Sequence, residues 1–325
     1  MEKKEKWENM SNKKILILSQ TTKDDYALQE WQKNGVDTGI TLKEQPKLLR
    51  AVRRLWIKFH LPFQSMWYGD WKKDFLNYDC VLLHGTWLAE DIPHWMRKQA
   101  DRQKKDIKLI WWYWNKVVEL DHPDRVSEQD CEKWSFDKKD CETFGMKHNT
   151  QYYFKSFRLP KAELQQDIYF LGTDGGRKAQ LLELYNEFVS YHLKVDFHIY
   201  VPQILPEDMD KQECFITKKM DYQENLKHIS ESKAVLEVLR EGQSGQTLRA
   251  LECLFYRKKL ITNDKSVKEY DYYHPQNIFI LGEDDMERLP AFLDVPFAEV
   301  SEEMIEKYDC KQWLGRFFSS LPRES

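Results

Sequence analysis

Residues 242–263, GQSGQTLRALECLFYRKKLITN, decide how the rest of the chain is read. Small polar residues (Gln243, Ser244, Gly245, Thr247) open the stretch. Leu248, Leu251, Leu254 and Phe255 then repeat at three and four, the spacing of one helix face. Lys258 and Lys259 close the helix, and Leu260-Ile261-Thr262 reads as a short buried strand. A loop of small residues at a helix start presents free N–H groups and the positive end of the helix dipole, which suits a phosphate. Arg249 adds a bidentate donor for the same anion. Glu252 lies deeper in the helix, where a carboxylate suits sugar hydroxyls. The plainer alternative is a well-capped helix between two strands.

Moving outward, the second half alternates strand and helix. Strands are expected at 167–172 (DIYFLG), 195–201, 234–239, 260–262 and 277–281 (NIFIL), with helices at 177–191, 222–230 and around 284–288. Short apolar strands separated by helices predict a parallel sheet covered on both faces. Ligands of such a sheet bind beyond the carboxyl ends of its strands. Two loops fall there. One is Gly172-Thr173-Asp174-Gly175-Gly176-Arg177, with glycines for close backbone approach and Arg177 aimed at an anion; the other spans 243–247. Together they are expected to hold the diphosphate and ribose of a nucleotide.

The first half alternates less cleanly. Strands are expected at 13–20 (KKILILSQ), 78–84, 107–114, 134–136 and 150–157, and helices at 24–33, 92–104 and 137–145. Residues 47–60 (KLLRAVRRLWIKFH) form the most amphipathic stretch. Leu48, Val52, Leu55, Trp56 and Phe59 share one face, and Arg50, Arg54 and Lys58 run along the other. Followed by Phe63, Trp67, Tyr68 and Trp71, the stretch Lys47 to His60 reads as an anchor on an anionic membrane or as an ordinary helix packed on a sheet with a solvated basic face. A linker is expected at 156–166 and a closing helix at 304–318. The expected division is 1–157, 158–309, and a segment 310–325 that packs back on the first domain.

A net charge of −4 over 325 residues argues against nucleic acid as a partner. The 14% aromatic content, with 12 Trp, serves cores, sugar-stacking walls and membrane interfaces alike. The six cysteines are scattered without C-x-x-C or other metal-ligand spacing, which predicts buried thiols in a reducing, cytoplasmic setting. The charged start of the chain lacks the apolar segment of a signal peptide, and no apolar run approaches the ~20 residues that span a bilayer. G-x-G-x-x-G, the P-loop, H-E-x-x-H and a nucleophile elbow are all absent. Asp208-Met-Asp210 has the form of a metal-binding Asp-x-Asp pair but reads as solvated surface.

DIYFLGTDGGRKAQLLELY, MDYQENLKHISESKAVLEVL, the opening stretch and YDYYHPQNIFIL resemble the C-terminal half of bacterial capsular and lipopolysaccharide biosynthesis glycosyltransferases of the GT-B architecture; WSFDKKDCETFGMKHNTQYYF resembles their joining segment. The resemblance covers about residues 134–281. It implies two Rossmann-like α/β domains, parallel sheets with helices on both faces, facing a cleft. It also implies a UDP-, GDP- or dTDP-sugar in the second domain, a glycan or polyprenyl-linked acceptor, and no obligatory metal. Many members carry two glutamates eight positions apart. Glu252 matches the second, which contacts ribose, whereas Ser244 stands where the first would fall, so retention or inversion of the anomeric centre stays open. An inverting enzyme needs a base near the acceptor hydroxyl. His84, at a strand end, is the first candidate, with Asp25 and Asp70 behind it; Asn115, at another strand end, is a candidate for acceptor hydroxyls. The alternatives are a sugar-nucleotide epimerase on the same fold and a non-catalytic partner subunit.

Overall fold

The computed structural model describes residues 13–20, 25–240 and 245–318. The chain forms two compact units, one of residues 1–150 with 313–325, the other of residues 151–312.

The first unit is built on a six-stranded sheet: β1 (Ile15–Ser19), β2 (Asp37–Ile40), β3 (Cys80–His84), β4 (Lys108–Tyr113), β5 (Glu132–Ser135) and β6 (Lys147–His148), in the order β2-β1-β3-β4-β5-β6. Every pairing is parallel. Its helices are α1 (Tyr26–Lys33), α2 (Lys47–Lys58), α3 (Ile92–Arg102) and α4 (Lys138–Phe144). All of β1 and nearly all of β3 and β4 is buried, which is why these strands read as unbroken apolar runs instead of alternating ones.

The second unit carries β7 (Gln166–Thr173), β8 (Val195–Tyr200), β9 (Phe215–Ile216), β10 (Ser232–Glu237), β11 (Lys259–Thr262) and β12 (Ile278–Ile280), with α5 (Lys178–Ser190), α6 (Tyr222–Ser230), α7 (Leu248–Tyr256), α8 (Leu289–Asp294) and α9 (Glu302–Tyr308). The sheet order is β12-β11-β10-β7-β8-β9, again wholly parallel. Counted from β7 as first, that is the doubly wound order 3-2-1-4-5-6, with its direction reversing between β7 and β10. The α/β expectation of two Rossmann-like domains holds. The chain then re-enters the first unit through α10 (Cys310–Arg316). There Trp313 lies 5.1 Å from Trp112 and 6.0 Å from Trp31, and Phe317 lies 4.8 Å from Trp134, ring centre to ring centre. Trp313 Nε1 donates to the Thr150 carbonyl (2.7 Å).

Several expectations need correction. Residues 150–157 form no strand beyond a single bridge at Tyr153, because the aromatic run Tyr152-Tyr153-Phe154 packs sideways on rings instead of entering a ladder. β2, β6 and β9 were not foreseen; they are short, and β2 (DTGI) is neither apolar nor alternating. The closing helix is interrupted at Asp309, which is extended and accepts from the Lys155 N–H at 2.8 Å. Asp208 is not solvated: it is buried and pairs with Lys178 at 3.0 Å.

The largest reversal concerns α2. It buries Arg53 and Ile57 and leaves the apolar face outward, with Leu48 78%, Leu55 56% and Phe59 65% exposed. Arg53 turns in because its guanidinium reaches the Lys43 carbonyl at 2.6 Å. Phe63, in the left-handed backbone region at φ 64°, is 80% exposed beside this face. No helix among the described residues is long and apolar enough to cross a membrane.

Candidate functional site

The carboxyl ends of β7 and β10 gather the cationic groups of the second unit. Arg177 follows β7, Arg240 follows β10, and Arg249 stands in the first turn of α7. Arg177 donates from Nη2 to the Thr173 carbonyl (2.7 Å), from Nε to the Asp174 carbonyl (3.2 Å) and from Nη1 to the Val238 carbonyl. Arg249 donates to the Leu171 and Leu236 carbonyls and lies over the Phe170 ring at 5.6 Å. Both side chains therefore bridge the same two strands at the place where the order reverses. Arg240 Nη2 donates to Thr173 Oγ1 at 2.8 Å. Burial pulls the Arg177 guanidinium below its ordinary range, and the nearby charges of Arg240 and Arg249 pull it further, with Asp174 opposing. The cluster is electrostatically unsated, which is the condition an incoming anion relieves.

Glycine makes this crowding feasible. Gly175 has φ +55°, and a Cβ there would sit 2.6 Å from Arg240 Nε; Gly176 follows at φ +82°. The left-handed pair turns the chain from β7 into α5 and leaves room for the guanidinium against the loop. Asp174 is spent locally, its Oδ1 accepting from the Lys178 N–H at 2.8 Å.

The other loop is equally engaged. Gly245 has φ 93°; Gln243 and Ser244 lie outside the described residues. Thr247 caps α7, accepting from the Ala250 N–H (3.3 Å), and donates its hydroxyl to Glu237. Glu237, at the end of β10, also accepts from Thr262 Oγ1 at 2.6 Å. Burial raises the Glu237 carboxyl above its ordinary range, and its hydroxyl partners and Arg249 only partly offset this. Glu252 is buried and accepts from the Tyr222 hydroxyl at 2.9 Å. Tyr222 meets the Tyr153 hydroxyl, which lies 2.8 Å from that of Tyr256. Glu252 thus ends a chain of phenols, and burial raises its carboxyl despite Arg249 and Tyr222. Gly172 packs on Phe170, with its missing Cβ 2.9 Å from that ring.

In the first unit, His84 ends β3 and stacks on Trp114 at 5.7 Å. Its Nε2 is buried without a hydrogen bond among the described residues, and burial lowers the imidazole to about 4, so it is neutral near pH 7. Asn115 is exposed just past β4. Asp25 caps α1, accepting from the Ala27 N–H at 2.9 Å. Asp70 is exposed and pairs with Lys73 at 3.1 Å. Sequence reasoning passed over Arg240 and Glu237. Arg240 directly follows the expected strand 234–239, so the rule that selected Gly172 and Arg177 would have selected it too; Glu237 lies inside that expected strand and becomes a strand end only because the observed strand stops there.

No family model matches this chain, and no curated protein matches it. Among solved structures it is similar to a crystal structure of the GtfA/B complex, at 11% identity and a TM-score of 0.46, over 86% of this chain and 61% of that one. The chain thus spans under two thirds of that neighbour's length. With an overlap this partial, the fold assignment rests on the strand pairings.

Proposed function

We propose that this chain is a glycosyltransferase. It moves a sugar from a nucleotide-diphosphate-sugar donor to a glycan or polyprenyl-linked acceptor during assembly of a cell-surface polysaccharide, at the cytoplasmic face of the plasma membrane and without an obligatory metal. The observation that carries this reading is the convergence of Arg177, Arg240 and Arg249 on the β7/β10 strand ends, where the order of the sheet reverses. Doubly wound sheets take their ligands at that crevice.

The chemistry follows from charge. As the acceptor oxygen bonds to the anomeric carbon, the bond to the donor's phosphate oxygen breaks, negative charge grows on the departing diphosphate, and the acceptor's hydroxyl proton passes to that diphosphate or to solvent. Guanidinium groups fixed in advance stabilise that charge without reorganising. Their fixation is the role of the carbonyl contacts: Arg177 and Arg249 are braced, and Arg240 lies against the glycine turn. His84, neutral and well below the working pH range in basicity, is better suited to hydrogen-bonding an acceptor hydroxyl than to removing its proton. A lipid-linked acceptor agrees with the outward apolar face of α2, rimmed by Lys47, Arg50, Arg54 and Lys58.

Calorimetric titration with UDP, GDP and dTDP tests the donor site. At least one should bind with a 1:1 stoichiometry, and its sugar conjugate should release the diphosphate when acceptor is supplied. If none binds at millimolar concentration, the reading fails. For the membrane contact, Leu55→Ser with Phe59→Ser should abolish flotation with anionic vesicles while leaving the fold intact; flotation equal to the parent's would remove that part.

A further inference from the structure

A second constellation lies on β8 and α6 of the same unit and shares no residue with the guanidinium cluster. Asp196 and His198 are two residues apart on β8 and so share one face. His228, in the last turn of α6, comes down over that face. Asp196 Oδ2 is 2.7 Å from His228 Nδ1, Asp196 Oδ1 is 2.9 Å from His198 Nε2, and one ligand atom from each residue lies within 4.8 Å of the others.

The geometry points to a divalent transition-metal site formed by Asp196, His198 and His228, with a further coordination position open to water. Both nitrogens of His198 are buried and neither makes a hydrogen bond among the described residues, although Nε2 lies so close to Asp196. Proximity without N–H···O alignment is what two groups directed at a shared third point display, and a cation takes up both lone pairs. In a tetrahedral zinc site with bonds of ~2.0–2.2 Å, ligand atoms sit about 3.4 Å apart, a separation that falls between the two Asp196–histidine distances of 2.7 and 2.9 Å and the 4.8 Å within which the three ligand atoms lie. Two imidazoles and a carboxylate select zinc, cobalt, nickel or copper over magnesium and calcium.

Outer contacts of the kind that orient metal ligands are also present. Gln166 Nε2 donates to Asp196 Oδ2 at 3.2 Å. The Tyr169 ring stacks on His228 at 5.3 Å and 8°, fixing its plane. Such a metal clamps α6 to the sheet; the sugar-transfer chemistry does not pass through it, so this inference stands or falls separately from the function proposed above.

The full chain is stripped with a chelator, dialysed and titrated with Zn²⁺ by calorimetry and with Co²⁺ by visible absorption. One equivalent of zinc per chain, a tetrahedral cobalt band and a raised thermal midpoint are expected. His198→Ala and His228→Ala should each weaken binding at least 100-fold, and Gln166→Ala about 10-fold. Asp196→Asn guards against misfolding, since it retains an acceptor for His228 and Gln166; it should keep the parent's metal-free melting temperature and lose the metal-induced rise. Failure of the parent to take up equimolar zinc overturns the site and leaves only the His228–Asp196 hydrogen bond with His198 beside it. Uptake by the His198 and His228 variants equal to the parent's overturns it as well.

Discussion

The two sheets present contrasting carboxyl edges. Beyond β7 and β10, three guanidinium groups crowd onto carbonyls and a threonine hydroxyl, and burial, reinforced by the charges of Arg240 and Arg249, lowers the proton affinity of Arg177. The end of β3 offers instead a neutral imidazole stacked on Trp114. The same parallel architecture thus yields a charged edge and an edge with an uncharged ring at its strand end. The difference lies in a handful of side chains placed just past the last strand residue, so the fold supplies the position and the loops supply the chemistry.

The most demanding test of the contrast is the pH response of stability. His84 has a folded value near 4, below the ~6.5 of an unfolded histidine, so the unfolded chain binds the extra proton between those values. Its contribution is complete above pH ~6.5 and is lost as pH falls toward 4, by about 3 kcal/mol. Denaturant midpoints should therefore fall more steeply on acidification in the parent than in His84→Phe. Identical slopes would mean that the imidazole is not held neutral. Next in size, Arg240→Ala should weaken nucleoside-diphosphate binding about 10- to 100-fold, about 2 kcal/mol, while His84→Ala leaves it unaltered. Equal losses in the two variants would erase the distinction between the edges. Arg240 is the better probe because Arg177 and Arg249 also brace the strands.

The smallest expected effect is at Glu252. Burial raises its folded value, so the stability it contributes is present at low pH and is lost as pH rises through that raised value. Glu252→Gln keeps an acceptor for Tyr222 and should leave stability at neutral pH unchanged or raise it by about 1 kcal/mol. A loss of several kcal/mol in thermal or chemical unfolding would show that the charged form is the one the tyrosines hold.

A second contrast, between α7 and α2, shows what a sequence discloses. Both are amphipathic. In α7 the periodic residues Leu251 and Leu254 are buried, with Thr247 capping the helix at one end and Arg257 closing it in the left-handed region at the other. In α2 the periodicity is just as legible, yet the leucines face out and Arg53 faces in. Helical spacing assigns residues to faces; it does not say which face the protein covers, because that depends on partners brought in from elsewhere, here the Lys43 carbonyl.

The chain on its own determined the alternation of apolar strands and helices, the parallel sheets and the two glycine-bearing loops, because these arise from local spacing and from backbone conformations open to few residues. Tertiary structure alone decided that Arg177 and Arg249 brace the same pair of strands, that Arg240 joins them, that Glu252 meets tyrosines, and that His228 meets Asp196 and His198. Those contacts join residues tens of positions apart, and their geometry follows from strand order, which no local pattern encodes.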